Sequence, residues 1–133
     1  YTNEEKSISA FQGEFVVMNL WAAWCPPCIE EIPYFIQFYE DYKDEDVQVI
    51  GINLTTEETG LDAVENFVDD FEIPFPILLD LEGEVSYKYQ VMSIPITYIL
   101  DPDGKVAVRH IGYLNYDILV RKYEEAKEKY GKL

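Results

Sequence analysis

The chain has two cysteines, and they stand three positions apart in Trp21-Ala22-Ala23-Trp24-Cys25-Pro26-Pro27-Cys28. At that spacing two sulfurs can be joined as a disulfide, ligate a metal together, or alternate between dithiol and disulfide. A bridge closing so short a loop removes little entropy from the unfolded chain, so its value to stability is small. A structural zinc site needs four ligands, whereas there is no second cysteine pair and His110 is the only histidine. Covalent haem attachment requires histidine directly after the second cysteine, and Ile29 stands there. Thiol–disulfide exchange is the reading with most support, with no metal and no organic cofactor expected.

Exchange needs one activated sulfur and one that follows it. The run from Glu14 to Trp21 is nearly all apolar, as expected of a central strand covered on both faces. After it, Ile29, Ile32, Phe35, Ile36 and Tyr39 recur at helical spacing up to an acidic stop near Asp41 to Asp46. Cys25 thus falls where a strand ends and a helix begins. Unpaired N–H groups and the positive end of the helix dipole stabilise a thiolate there, making Cys25 the candidate nucleophile. Cys28, one turn further on and less exposed, is the candidate resolving thiol. Pro26 and Pro27 suit a first helical turn, while Pro33 is expected to kink the helix.

The elements around this junction follow the same logic. A second buried strand is expected over Val47 to Leu54, giving a β-α-β unit with a right-handed crossover. Thr55 to Gly60 is a polar loop, and Leu61, Val64, Phe67, Val68 and Phe71 mark a second amphipathic helix ended by Ile73-Pro74-Phe75-Pro76. Ile77 to Leu79 reads as a short strand and Val85 to Val91 as a short helix. Ile96 to Leu100 and Lys105 to Ile111 flank Asp101-Pro102-Asp103-Gly104, so they form an antiparallel hairpin. Tyr116, Leu119, Val120 and Tyr123 give a last helix one apolar face. The economical answer is one α/β domain over residues 1–133, with a mixed sheet flanked by helices.

Size and charge bound the function. With 133 residues and 48% hydrophobic content, the chain can bury a core without staples. Its net charge of −16, from 26 acidic against 10 basic residues, repels phosphate backbones and anionic lipid headgroups, which excludes nucleic acid as a favoured partner. No stretch approaches the roughly 18 apolar residues of a membrane span, and the opening Tyr1-Thr2-Asn3-Glu4-Glu5-Lys6 lacks the pattern of a signal peptide. The expectation is a soluble chain whose parent can still be exported or tethered.

Beyond the cysteines, the order of motifs resembles one family. Met18-Asn19-Leu20-Trp21-Ala22-Ala23-Trp24-Cys25-Pro26-Pro27-Cys28-Ile29-Glu30-Glu31-Ile32-Pro33 is similar to the ResA/TlpA group of bacterial extracytoplasmic thiol-disulfide oxidoreductases within the thioredoxin superfamily. Gly51-Ile52-Asn53-Leu54, Phe75-Pro76-Ile77-Leu78-Leu79-Asp80, Ile94-Pro95-Ile96-Thr97-Tyr98-Ile99-Leu100-Asp101 and Gly104-Lys105-Val106 follow in the group's order, and the likeness runs from about Ile8. It implies a thioredoxin-like fold with a ResA/TlpA-type central insertion. It implies that Pro95, after Ile94, is a cis-proline opposite the cysteines that helps bind an extended substrate. It implies that Glu31 exchanges protons with the cysteines, and a carboxyl one turn beyond Cys28 could be partly buried with a raised pKa. Asn19 stands where thioredoxin has a titratable aspartate, so proton handling must come from elsewhere.

Trp24 is expected to cover Cys25, with Trp24, Pro26 and Pro27 meeting substrate, whereas Trp21 is read as a packing residue. Glu57 and Glu58 could line the site as second acids, though surface charge is the plainer reading. His110 is assigned no role. The resemblance further implies a membrane-anchored parent outside the cytoplasm, reducing particular protein disulfides such as those of apocytochrome c or of proteins needed for sporulation. Electrons would come from a membrane thiol donor of the CcdA/DsbD type, to a domain acting as a monomer. Two alternatives stay open: an oxidase that donates its disulfide, and a non-catalytic module that binds extended peptides. A cytosolic, tryparedoxin-like electron carrier is argued against by the pattern outside the motif.

Overall fold

Apolar residues on both parities of β1 (Phe15–Trp21) make it the centre of the molecule, and every one of its residues is buried. The computed structural model describes residues 13–131, so the opening Tyr1–Lys6 segment and the start of the family likeness at Ile8 lie outside the described residues. β1 is followed by α1 (Pro26–Tyr42), β2 (Val47–Asn53), a 3₁₀ turn at Thr55–Glu57, α2 (Leu61–Phe71) and β3 (Ile77–Leu79). Then come α3 (Glu84–Lys88), β4 (Ile96–Leu100), β5 (Val106–Ile111) and α4 (Tyr116–Gly131). The sheet order is β3-β2-β1-β4-β5, with β1, β2 and β3 parallel and β4 and β5 antiparallel additions, as the mixed-sheet expectation required.

Strand periodicity of two divides the core. Phe15, Val17 and Trp21 face one layer with Ile32, Phe35 and Phe38 of α1, Val64 and Phe67 of α2, and Leu119, Tyr123 and Ala126 of α4. Val16, Met18 and Leu20 face the other layer, packed with Ile50, Ile52, Ile96 and Tyr98 and covered by Val85, Tyr89 and Val91. Asn19 shares the parity of Val17 and Trp21, so the one polar residue of β1 points toward α1.

Helix α1 runs from Pro26 to Tyr42 with Pro33 inside it. Several details differ from the sequence expectation. Leu61, placed on the buried stripe of α2, is 44% exposed because it sits in the first turn, ahead of the packed Val64 and Phe67. α3 covers Glu84–Lys88 and stops short of Val91. Gln90 takes a left-handed conformation (φ 53°) and the Val91 N–H donates to the Ser86 carbonyl, closing the helix without a glycine. Phe38 is fully buried although the apolar spacing assigned to α1 passed it over; it stacks on Tyr42 at 4.5 Å and meets Tyr123 edge-on at 5.4 Å. In the β4–β5 turn, Asp101 Oδ1 accepts from the Asp103 and Lys105 N–H groups at 2.9 and 3.0 Å, as a turn-forming aspartate does.

Candidate active site

Strand β1 delivers the chain to the C-terminal ends of the parallel strands, and α1 starts five residues later. Cys25 is the N-cap of α1, bonded as a disulfide to Cys28, and its Sγ accepts from the Cys28 N–H at 3.4 Å. Pro26 and Pro27 occupy the first two helical positions, where a missing N–H interrupts no helical hydrogen bond. They also remove two first-turn donors, so the Cys28 amide is the one that reaches the Cys25 sulfur. Cys25 borders an open groove of about 460 Å³, whereas Cys28 is fully buried beneath it.

The groove brings distant segments together. Trp24, Pro26 and Pro27 form one side with Cys25, Leu54 and Glu57 come from the end of β2 and the turn after it, and Ser86, Val91, Met92, Ser93 and Ile94 close the other side. The Ile94–Pro95 peptide bond is cis, Pro95 is buried, and the Pro95 carbonyl accepts from Gly112 N–H at 2.8 Å. Trp24 is 57% exposed, and its indole N–H donates to the Glu57 carbonyl at 2.9 Å, which places it in the wall of the groove that Cys25 also lines. Trp21 is a packing residue, fully buried and stacked on Phe67 at 4.6 Å.

Glu31 lies on the stripe of α1 that holds Cys28, Phe35 and Phe38, and its side chain is fully buried. Asn19 Nδ2 donates to Glu31 Oε1 at 2.7 Å, and the Leu114 N–H donates to Oε2 at 3.2 Å. Burial pushes the Glu31 carboxyl up to about 7, the two hydrogen bonds pulling partly the other way. A group titrating there is matched to giving and taking protons near neutral pH. Glu30, its neighbour in sequence, is exposed.

Glu57 and Glu58 do different things. Glu58 Oε2 accepts from the Ala23 N–H and from Asn53 Nδ2, each at 2.7 Å, and so fastens the loop before Cys25 to the end of β2. Glu57 lines the groove. His110 lies on β5, its Nε2 3.1 Å from the Tyr113 carbonyl, apart from the cysteines. Sequence reasoning missed the Asn19–Glu31 bond, the Glu58 tether and the Val91–Ser93 side of the groove. The parity of Asn19 along β1 and of Glu31 along α1 held the clue to the first; the other two depend on how the loops meet. Among the described residues no group of three or more histidine, cysteine or carboxylate side chains is placed to hold a metal ion.

With this geometry in place, likeness to known proteins is informative. The pattern of the AhpC/TSA family matches residues 1–109. The sporulation thiol-disulfide oxidoreductase A of Bacillus subtilis is 32% identical over 114 residues, covering 86% of this chain and 69% of its own. The thiol-disulfide oxidoreductase ResA of Bacillus thuringiensis is 38% identical over 96 residues, 72% of this chain and 54% of its own. The crystal structure of StoA from Bacillus subtilis superposes with a TM-score of 0.79 at 30% identity, covering 84% of each chain. The chain therefore spans between about half and seven-tenths of these two relatives' length.

Proposed function

This chain belongs to the AhpC/TSA family and is a thioredoxin-fold thiol-disulfide oxidoreductase of the ResA/StoA type; we propose that it works as a reductase of specific protein disulfides outside the cytoplasm. The observation that carries the proposal is the Cys25–Cys28 pair, with Cys25, 3% exposed, lining an open groove and Cys28 fully buried on the helix face that holds Glu31.

In this reading the Cys25 thiolate attacks one sulfur of a substrate disulfide. A mixed disulfide forms, the substrate S–S bond breaks, and the other substrate sulfur leaves as a thiolate that takes a proton. Glu31 accepts the Cys28 proton, and the Cys28 thiolate attacks Cys25, releasing the second substrate sulfur and leaving Cys25–Cys28 oxidised. Two electrons have passed to the substrate. The backbone beside Ile94 and cis-Pro95 offers an edge along which an extended polypeptide pairs, with Trp24, Pro26 and Pro27 flanking the exchanged sulfur. A membrane thiol donor of the CcdA/DsbD type would restore the dithiol.

The missing N–H groups of Pro26 and Pro27 support the reductive direction. Stabilising a thiolate makes a disulfide more oxidising, and here a single first-turn amide serves the Cys25 sulfur. The relative named for sporulation supports a task of that kind, and reduction of apocytochrome c before haem attachment is the other task that the ResA likeness implies. No helix among the described residues is long and apolar enough to cross a membrane, so the anchoring we propose for the parent protein would lie elsewhere.

The test is to mix the reduced protein with insulin and with an oxidised Cys-x-x-Cys-His peptide, then trap thiols for mass spectrometry. We expect substrate thiols to appear as Cys25–Cys28 oxidises, Cys25→Ser to be inactive, and Cys28→Ser to accumulate a mixed disulfide. Activity in Cys25→Ser equal to wild type would overturn the mechanism. A reduction potential approaching roughly −120 mV, rather than one near roughly −270 mV, would reverse the direction of flow.

A further inference from the structure

The groove beside Cys25 is walled by uncharged side chains with one exception. Among its lining residues Glu57 alone carries a formal charge. Its backbone is held at two points, the N–H donating to the Leu54 carbonyl at 2.9 Å and the carbonyl accepting from the Trp24 indole at 2.9 Å. The carboxylate enters no ion pair among the described residues. An exposed glutamate whose backbone is fastened to Trp24, itself 57% exposed, offers a cation two attractions along one groove, charge from the acid and cation–π contact with the ring face.

Resting on the reductase reading, we propose that Glu57 with Trp24 is a specificity site that selects disulfides flanked by a lysine or arginine, the cationic side chain meeting the Glu57 carboxylate. The occupant of the groove is therefore a basic, extended polypeptide segment rather than a neutral or acidic one. Two further observations fit it. Met92, 90% exposed on the opposite side, offers an adaptable apolar surface to the remaining side chains of such a segment. The net charge of −16 draws cationic partners in from a distance and disfavours anionic ones. That long-range field is not specific to the groove, which gives the test its control.

The experiment measures the second-order rate constant of the reduced protein with three peptide disulfides that differ only in a flanking Lys, Ala or Glu. Wild type should react about three- to fivefold faster with the Lys peptide than with the Ala peptide, and slowest with the Glu peptide, the range of an exposed ion pair. Glu57→Gln should bring the Lys-to-Ala ratio close to one, and Glu57→Lys should favour the Glu peptide. Glu125→Gln on α4, which adds nothing to the groove, removes the same unit charge and should leave the ratio unchanged, with all three variants checked for native circular dichroism. Equal rates for the three peptides in wild type would overturn the site while leaving the reductase reading standing. So would a ratio that survives Glu57→Gln or falls as far in Glu125→Gln. Failure of wild type to reduce any of the peptides would overturn the reductase reading and the site with it.

Discussion

Asn19 Nδ2 and Glu31 Oε1 are 2.7 Å apart at a point where the Glu31 side chain meets no solvent and Asn19 is 1% exposed. A strand residue and a helix residue are joined by this bond one turn beyond Cys28 on α1. Asn19 also lies 3.4 Å from Thr97 Oγ1 on β4, so the amide spans from α1 across β1 to the strand that follows Pro95. A neutral amide donor at this place lets Glu31 exist in either protonation state, whereas an aspartate would bring a second carboxylate and repulsion.

Glu31 gives the fold a pH dependence of defined sign. In the folded protein its carboxyl titrates at about 7, against an ordinary value of 4.5, because burial disfavours the charged form. Between those values the native state holds more protons than the unfolded state, so stability falls as pH rises through the window, by roughly 3 kcal/mol for this group. Glu31→Gln removes that slope, and the Asn19 amide can turn its oxygen toward the new NH₂. Urea unfolding of both proteins at pH 5 and pH 8 should show the variant gaining about that amount over wild type at the higher pH. A difference independent of pH would remove Glu31 as a titrating acid. The same substitution should abolish the inflection near pH 7 in the rate of exchange.

Pro27 withholds an N–H from the Cys25 sulfur. Pro27→Ala restores one in the first turn of α1, where an N-cap acceptor is met by the amides two or three residues on. A hydrogen bond to a charged sulfur is worth about 1.5 kcal/mol, which corresponds to roughly 30 mV in a two-electron couple. The reduction potential should become less negative by about that amount and the Cys25 thiol pKa should fall. Equilibration with glutathione buffers measures the first and thiol alkylation against pH the second; an unmoved potential would show that helix amides do not set it.

Glu58 is a structural tether with a consequence for the site. Glu58→Ala strips an acceptor from the Ala23 N–H and from the Asn53 side chain, and Asn53 is fully buried. Leaving such a donor unpaired costs about 1–3 kcal/mol. Glu58→Gln keeps one acceptor oxygen and should recover much of the loss. Urea unfolding gives the stabilities, and hydrogen exchange at Ala23 should quicken in the alanine variant.

Gly51 is required by close packing rather than by backbone conformation. A Cβ there would stand 2.7 Å from Ile77 Cδ1 and 3.1 Å from Trp21 Nε1. Gly51→Ala should therefore destabilise by about 1–3 kcal/mol through overpacking. Ile77→Val, which deletes the offending methyl, costs about 0.5–1.5 kcal/mol alone but should cost less, or nothing, in the Gly51→Ala background. Additive losses in that double-mutant cycle would place the strain elsewhere.

Much of the molecule is legible in the sequence because it is local. Alternation and helical spacing fix which residues can form β1, α1, α2 and α4, and the position of Cys25 at a strand–helix junction follows from a run of apolar residues ending just before two prolines. The end of α3 was less legible, because a left-handed Gln90 follows it where a glycine would mark the stop, whereas α2 ends at Phe71 as the prolines after it announce.

The rest depended on how the chain closes on itself. Glu31 is bonded to residues 12 and 83 positions away, and the Ala23 amide to a carboxylate 35 positions on. No local period encodes such distances. They are set by the crossover that lays α1 over β1, by the strand register that brings β4 beside Asn19, and by the loops that converge at the sheet's edge. The sequence by itself determined that two cysteines stand ready at the mouth of a helix. Tertiary structure decided that the acid beneath them is buried, hydrogen-bonded and held near neutrality, because desolvation is a property of everything packed around a group and not of its neighbours in the chain.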